Sequence, residues 1–365
     1  MAAGNPTLGE ARASAYTVPT DKPESDGTFA WDKTTIIVVE VEGGGQAGLG
    51  YTYADKGVVD VVHGTLAETL KGGDAMDIPA AWQQMRRAVR NLGTPGVAAC
   101  AVSALDAALW DLKAKLLGLP LALLLGRMRN AVPIYGSGGF CSYTDDELRE
   151  QLGGWVERDG CAFVKMKVGR DPERDPERVR AARSAIGDAE LFVDANGALS
   201  PRRAIRFAKE VADQGVYWFE EPVSSGDLAG MRLVREHMPD TVDVAAGEYI
   251  YVPDDAQRML AAGAVDVLQS DATRCLGITG FLRAAALSDT YHTDFSGHCA
   301  PALHLHPACA AERLRHLEWF HDHVRIEHML FDGAPDPQGG AIRPDLARPG
   351  LGLDFKRKDA ERYAA

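Results

Sequence analysis

The sequence is short of the features that would send it to an oxidising compartment, a membrane or a nucleic acid. Its six cysteines (Cys100, Cys141, Cys161, Cys275, Cys299 and Cys309) form no CxxC and show no paired spacing. A disulfide framework is therefore not expected, and buried thiols in a reducing cytosol are. The longest apolar run, residues 119–125, is interrupted by Pro120 and is too short to span a bilayer, so no membrane partner is expected. No basic region followed by an apolar one opens the chain, and a cytoplasmic protein is the expectation. Positive charge is in deficit: 39 Lys and Arg stand against 52 Asp and Glu, a formal net charge of −13. That is the opposite of a phosphate-binding surface, so no nucleic-acid partner is expected, whereas acids gathered around a cation would suit it.

What the sequence does have is a repeat whose strand ends carry charge. Read as a strand, Phe163-Val-Lys-Met-Lys-Val168 puts Lys165 and Lys167 on one face. Two ammonium groups so close disfavour each other's charge, and the pKa of at least one is expected to fall toward neutrality, as a base requires. Three further strand-like runs end in acids: Leu191-Phe-Val-Asp194, Val216-Tyr-Trp-Phe-Glu220 and Val242-Asp-Val-Ala-Ala-Gly-Glu248. These acids are 26 and 28 residues apart, about the length of one strand, one helix and two loops in a (β/α) barrel. They should converge on one rim.

The rest of the chain is organised around that repeat. Residues 1–13 read as a polar leader, and strands at 13–18 and 34–41 flank a loop containing Pro19, Pro23, Gly27 and Trp31, long enough to serve as a lid. Helical periodicity covers 63–71 and 79–92, and a long apolar helix over 95–115 is closed by Gly118 and Pro120. From Val132 onward eight strands are predicted, at 132–136, 163–168, 191–194, 216–220, 242–248, 265–271, 293–296 and 316–320. Helices lie between them, opened by signals such as Asp175-Pro176 and Ser200-Pro201. This divides the chain into an N-terminal α+β domain (1–128), a barrel (129–332), and a Pro- and Gly-rich segment (333–365) that returns to the first domain.

Lys165-Met-Lys167, Asp194-Ala-Asn196, Glu220-Glu-Pro222, Gly247-Glu248, Asp271 after strand 6 and His298 after strand 7 follow one another at barrel spacing. In this order they make the chain, over about residues 13–353, resemble the enolase superfamily and its mandelate racemase subgroup. The resemblance implies an α/β fold, a modified TIM barrel (β/α)7β with an N-terminal α+β capping domain. It also implies one Mg²⁺ held by Asp194, Glu220 and Glu248. Lys167 would be one base, Lys165 its electrostatic modulator, and the Asp271/His298 pair the other acid/base. Glu318 resembles the last barrel acid, which when protonated hydrogen-bonds the substrate carboxylate, and Asn196 would bond a base or the substrate. A lysine or histidine base working with Mg²⁺ is a known property of that superfamily. A hard cation with oxygen ligands and open positions would also stabilise the charge that develops when a proton leaves the carbon next to a carboxylate.

The expected partner is a small-molecule carboxylate, and the expected reaction begins with abstraction of its α-proton to give an enediolate. Loss of a β-hydroxyl would follow in an acid-sugar dehydratase, a lyase. Return of a proton to the same carbon would instead make a racemase or epimerase of a 2-hydroxy acid or amino acid derivative, and a relative that only binds is a third reading. Muconate-type lactonisation fits less well, because that subgroup usually places a lysine after strand 6, where Asp271 is followed by Ala272-Thr-Arg274. A homo-oligomer is expected by analogy, with the apolar helix near Trp110 offering a packing face.

Bland readings exist for every residue. The lysines could be solvated strand edges, the acids helix N-caps, His298 structural, and Glu318 part of the barrel floor. Three successive acid-tipped strands favour a site, because unpaired charge inside a barrel layer is costly. His304, His306, His321 and His323 look like a metal cluster, but His304 and His306 are two apart in a predicted helix and do not share a face. They are left as structural or substrate-proximal.

Overall fold

The computed structural model describes residues 5–365; residues 1–4 of the expected leader lie outside them. The remainder of that leader is largely strand. β1 (Leu8–Ser25), β2 (Ala30–Gly43) and β3 (Gln46–Tyr53) form an antiparallel sheet in that order. The stretch expected as a loop between 19 and 31 is therefore the outer arm of the β1–β2 hairpin. Its ladder is regular from Ala11↔Val41 to Pro19↔Lys33, slips, and resumes at Glu24↔Trp31. Pro19 and Pro23 lack the N–H that a ladder needs, so they break pairing locally without ending the strand.

Helices at Gly57–Val61 and Ala67–Leu70 are joined by a π-helical turn at Val62–Leu66, earlier than the expected start at 63, and Ile78–Ala88 follows. The apolar helix, Val97–Leu116, lies on β3 at backbone distance. A Cβ on Gly48 would stand 2.0 Å from the Ala108 carbonyl oxygen, and one on Gly50 2.1 Å from that of Ala104, so only glycine permits the contact. Nearly every apolar side chain of this helix is buried inside the chain, and Trp110 Nε1 donates to Thr279 Oγ1 of a barrel helix at 2.9 Å. The packing face that the sequence reading offered to a second copy is thus occupied within the chain.

The barrel strands are β4 (Val132–Gly138), β5 (Phe163–Lys167), β6 (Glu190–Asp194), β7 (Val216–Glu220), β8 (Asp243–Ala246), β9 (Val267–Ser270), β10 (Asp294–Gly297) and β11 (Leu314–Phe320). Each pairs in parallel with the next, and β11 closes on β4. A helix follows each strand from β4 to β10, and His321–Leu330 follows β11. This is the expected modified TIM barrel with its capping domain. The barrel floor is an aromatic nest of Tyr135, Phe192 and Trp218, with Phe192 stacked on Trp218 at 5.0 Å. His316 sits among them, 4.8 Å from Tyr135, and burial drives its pKa down to about 3. It therefore serves as a neutral floor residue. Strand alternation then lifts Glu318 one layer above it, toward the mouth.

Beyond the barrel, Ala341–Ile342 pairs antiparallel with β4, and Phe331–Asp332 pairs with Asp354–Phe355. The end of the chain touches the capping sheet: Ala365 N donates to Ala15 O, and Arg357 pairs with Glu40. No helix among the described residues is long and apolar enough to cross a membrane.

Candidate active site

The parallel register dictates where the charges meet. Lys167 pairs with Asp194, and Asp194 with Glu220, so the tips of β5, β6 and β7 carry one amine and two acids side by side. Glu248 follows two residues after β8. One oxygen from each of Asp194, Glu220 and Glu248 lies within 4.8 Å of the others, and all three residues are buried. Around them the backbone takes conformations that L-residues rarely adopt, at Asn196 (φ 43°), Glu221 (φ 35°), Cys299 (φ 51°) and Ala300 (φ 39°). Strained loops of this kind gather at functional sites.

The lysines lie at two depths. Lys167 Nζ is 2.6 Å from Asp194 Oδ2. Lys165 is fully buried beneath it, 2.5 Å from Glu220 Oε1, 2.8 Å from Glu318 Oε1 and 3.5 Å from Asp194 Oδ2. Burial disfavours both charges, but the carboxylates outweigh it, and both amines are held above the ordinary lysine value. This corrects the expectation that their mutual repulsion would bring one toward neutrality. The spacing argument weighed each lysine against the other and left out the acids of the neighbouring strands. Glu220, crowded by burial and Asp194, is pushed up to about 8, and it accepts from Trp218 Nε1 and Gln269 Nε2 at 2.9 and 3.0 Å.

On the opposite side, His298 Nδ1 is 2.9 Å from Asp271 Oδ2, and His298 Nε2 is 3.4 Å from Glu248 Oε2. Asp271 Oδ1 accepts from Thr273 N at 2.7 Å. Burial opposes the imidazolium, but Cys299, Glu248, Glu318 and Asp271 raise the pKa of His298 well above its ordinary value. Glu318 accepts from Ser137 Oγ at 2.6 Å and Cys299 N at 3.0 Å. Although burial favours its proton, Lys165 and His298 hold it well below the usual carboxylate range.

A cavity of about 530 Å³ opens over these groups, lined from the barrel by Lys167, Asn196, Glu248, Arg274, His298 and Cys299, and from the capping hairpin by Phe29, Trp31 and Lys33. Lys165, Glu220 and Glu318 lie below that lining. Asn196 Oδ1 and Glu248 Oε2 are buried without a hydrogen-bond partner, as groups awaiting a ligand would be. The donor set consists of hard carboxylate oxygens converging on one point, and it fits Mg²⁺. Trp31 lies in the stretch expected as a lid, whereas nothing in the sequence marks Arg274, Cys299 or Phe29 as site residues. Cys299 adjoins His298, and Arg274 closes the turn that Asp271 caps, but loop positions have no period to reveal them. His304, by contrast, is structural: buried, it accepts from Ala272 N at 2.7 Å.

Two family descriptions match this architecture, the mandelate racemase/muconate lactonizing enzyme N-terminal domain over residues 13–126 and the enolase C-terminal domain-like family over 147–360. The chain belongs to the enolase superfamily, in its mandelate racemase subgroup. Among superfamily structures it is similar to a mandelate racemase/muconate lactonizing enzyme-like protein from Rubrobacter xylanophilus, with 55% identity, 98% of this chain and 100% of that one covered, and a TM-score of 0.96. A racemase from Streptomyces coelicolor with bound magnesium is 30% identical, with 98% and 100% covered and a TM-score of 0.92. L-talarate/galactarate dehydratase of Salmonella typhimurium is 32% identical over 82% of this chain and 77% of its own. Other superfamily relatives are named as cycloisomerases and as gluconate and arabinonate dehydratases. The relatives are enzymes, and so is this chain.

Proposed function

We propose that this enzyme is a Mg²⁺-dependent acid-sugar dehydratase, a lyase that removes the proton next to a carboxylate and then eliminates a β-hydroxyl as water. The observation that carries the reading is that Lys167 and His298 line one cavity, with the Glu248 carboxylate 3.4 Å from His298 Nε2. Asp194, Glu220 and Glu248 would hold the ion. When bound, Mg²⁺ would supply positive charge to the substrate carboxylate as its α-proton leaves, and Asp194, shared with the ion, would hold the Lys167 proton less tightly.

The chain's own residues perform the remaining steps. Lys167 takes the α-proton, with Lys165 beneath it setting the local potential through Glu220 and Glu318. Asp271 holds the Nδ1 proton of His298, so that Nε2 faces the cavity and delivers a proton to the departing hydroxyl. Asn196, unpartnered at Oδ1, accepts from a substrate hydroxyl. Phe29 and Trp31 exclude water above. The same two-sided arrangement supports racemisation as a second reading, with His298 returning the proton to the α-carbon.

The test is a screen of aldonic and aldaric acids with Mg²⁺, run in D₂O. A 2-keto-3-deoxy acid supports dehydration. Deuterium at the α-carbon of recovered, inverted substrate selects racemisation, and neither outcome with any acid overturns both. We place the enzyme in the cytosol, a reading supported by its six free cysteines.

A further inference from the structure

The capping hairpin meets the barrel at a second group of metal-type donors, separate from the strand-tip acids. Asp21 lies in the irregular stretch of β1, Glu24 stands where its ladder resumes, and His321 opens the helix after β11. One donor atom from each lies within 4.8 Å of the others. His321 Nε2 and Asp21 Oδ2 are already 3.0 Å apart. Two donors bound at ~2.1 Å to one ion stand about 3.0–3.4 Å apart, so this pair has the bite of a chelate.

Glu24 gives an independent indication. It is 1% exposed, its Oε2 accepts from Trp31 Nε1 at 2.8 Å, and its Oε1 is buried with no hydrogen-bond partner. A carboxylate so placed costs free energy unless a proton or a cation joins it. Burial and the nearby Asp322 push this carboxyl up to about 8. The cationic side chains that flank these residues in sequence are committed elsewhere, Lys22 to Glu147 at 2.9 Å and Arg325 to Asp322 at 2.6 Å.

We propose that Asp21, Glu24 and His321 bind a divalent transition cation of the Zn²⁺ or Mn²⁺ class, which straps the capping hairpin to the barrel rim. One imidazole and two carboxylates suit such ions, whereas Mg²⁺ prefers an all-oxygen set. The strap joins the two walls of the active-site cavity. Trp31 hangs from the hairpin, Phe320 adjoins His321, and both pack on Phe140, at 5.6 and 5.8 Å between rings. An ion here fixes how far apart those walls stand.

The test uses the full chain in excess Mg²⁺ and titrates Co²⁺, a visible probe of nitrogen-containing sites. One Co²⁺ per chain should be taken up and resist Mg²⁺. Glu24→Gln and His321→Gln should each weaken its binding by about 100-fold or more, while leaving Mg²⁺ binding and the melting midpoint without Co²⁺ unchanged. Asp194→Asn should abolish Mg²⁺ binding and leave the Co²⁺ site intact, so a failure at the strand tips is told apart from a failure here. Equal Co²⁺ uptake by Glu24→Gln overturns the proposal. So does a wild-type protein that takes up no Mg²⁺-resistant Co²⁺ and shows instead a protonated carboxyl infrared band lost in Glu24→Gln.

Discussion

Asp271→Asn isolates what the second carboxylate does for His298. Asp271 accepts twice, from His298 Nδ1 at 2.9 Å and from Thr273 N at 2.7 Å, one oxygen for each. Asparagine has one acceptor oxygen and one donor group. If its oxygen keeps Thr273 N, its amide donates to Nδ1 and forces the ring proton onto Nε2. If it flips, the buried Thr273 N–H faces a donor, at a cost of about 1–3 kcal/mol. The first arrangement costs less, and it leaves the Nδ1–H of the imidazolium without an acceptor, which disfavours the charged ring that delivers a proton from Nε2.

Charge acts in the same direction. Opposite charges ~4 Å apart are worth about 4 kcal/mol at an effective dielectric of ~20, and each 1.4 kcal/mol or so is a tenfold change in protonation. Allowing for partial compensation, losing the Asp271 charge should lower the pKa of His298 by about 2 pH units. The sign follows from the raised folded-state pKa of His298. The imidazolium is present below that pKa and lost above it, so a step needing His298 as an acid has its basic limb moved to lower pH in the variant. Turnover of the acid found in the screen should fall by about 10²–10⁴-fold. Ring-carbon NMR titration of histidine in Mg²⁺ reads the pKa directly, without any substrate. An unchanged His298 titration together with an unchanged basic limb would refute the orienting role.

Other outcomes follow from the same geometry. Chelation of divalent ions should abolish turnover, and Asp194→Asn should do so even in saturating Mg²⁺; calorimetry must then show Mg²⁺ binding lost in the variant, and activity retained by it would contradict the donor set. Asp111→Ala should destabilise the fold by about 3–5 kcal/mol, because buried Asp111 accepts from Leu49 N of the capping sheet and Leu351 N of the C-terminal segment, both at 2.7 Å, and leaves both orphaned. Urea unfolding would show it, with Asp111→Asn intermediate. Cys299, whose thiol is pushed up by burial and Glu318, should react slowly with iodoacetamide at pH 8, more slowly still with an acid sugar bound. Rapid alkylation read by mass spectrometry would mean that the thiol is not held neutral there.

Much of this was legible in the sequence, for a specific reason. A parallel barrel forces each strand end onto the same rim, so the spacing of Asp194, Glu220 and Glu248 already contained their convergence. What the spacing could not contain was the vertical order of the side chains. That Lys165 and Glu318 lie below the cavity while Lys167 lines it depends on barrel tilt and on the layer filled by His316 and Trp218. The lysine pKa values are hidden from the sequence for the same reason, since the acids that hold them up sit 27 and more residues away along the chain. The capping hairpin looks like a loop in one dimension because Pro19 and Pro23 break the pattern, while the strand resumes pairing at Glu24. Trp31, Lys33 and Arg274 belong to the cavity through contacts between domains, and nothing periodic marks them.

That hairpin is also where the choice of substrate should be decided, and Gly27 tests the idea. The barrel supplies a proton-transfer pair and an ion site that suit any small carboxylate, whereas the far wall is Phe29, Trp31 and Lys33. The tip carrying them rests on the barrel through Gly27, where a Cβ would stand 2.6 Å from the carbonyl oxygens of both Val168 and Ala195, one residue beyond Lys167 and Asp194. Backbone cannot yield as a flexible side chain would, so Gly27→Ala must lift the tip. Lifting it widens the cavity above the reacting groups without touching them. KM should therefore rise by about tenfold or more, as lost remote binding requires, while Mg²⁺ affinity and the melting midpoint stay near those of the parent. If KM were unchanged while kcat fell, the tip would be acting on the chemistry itself, and specificity would have to be sought among the barrel loops instead.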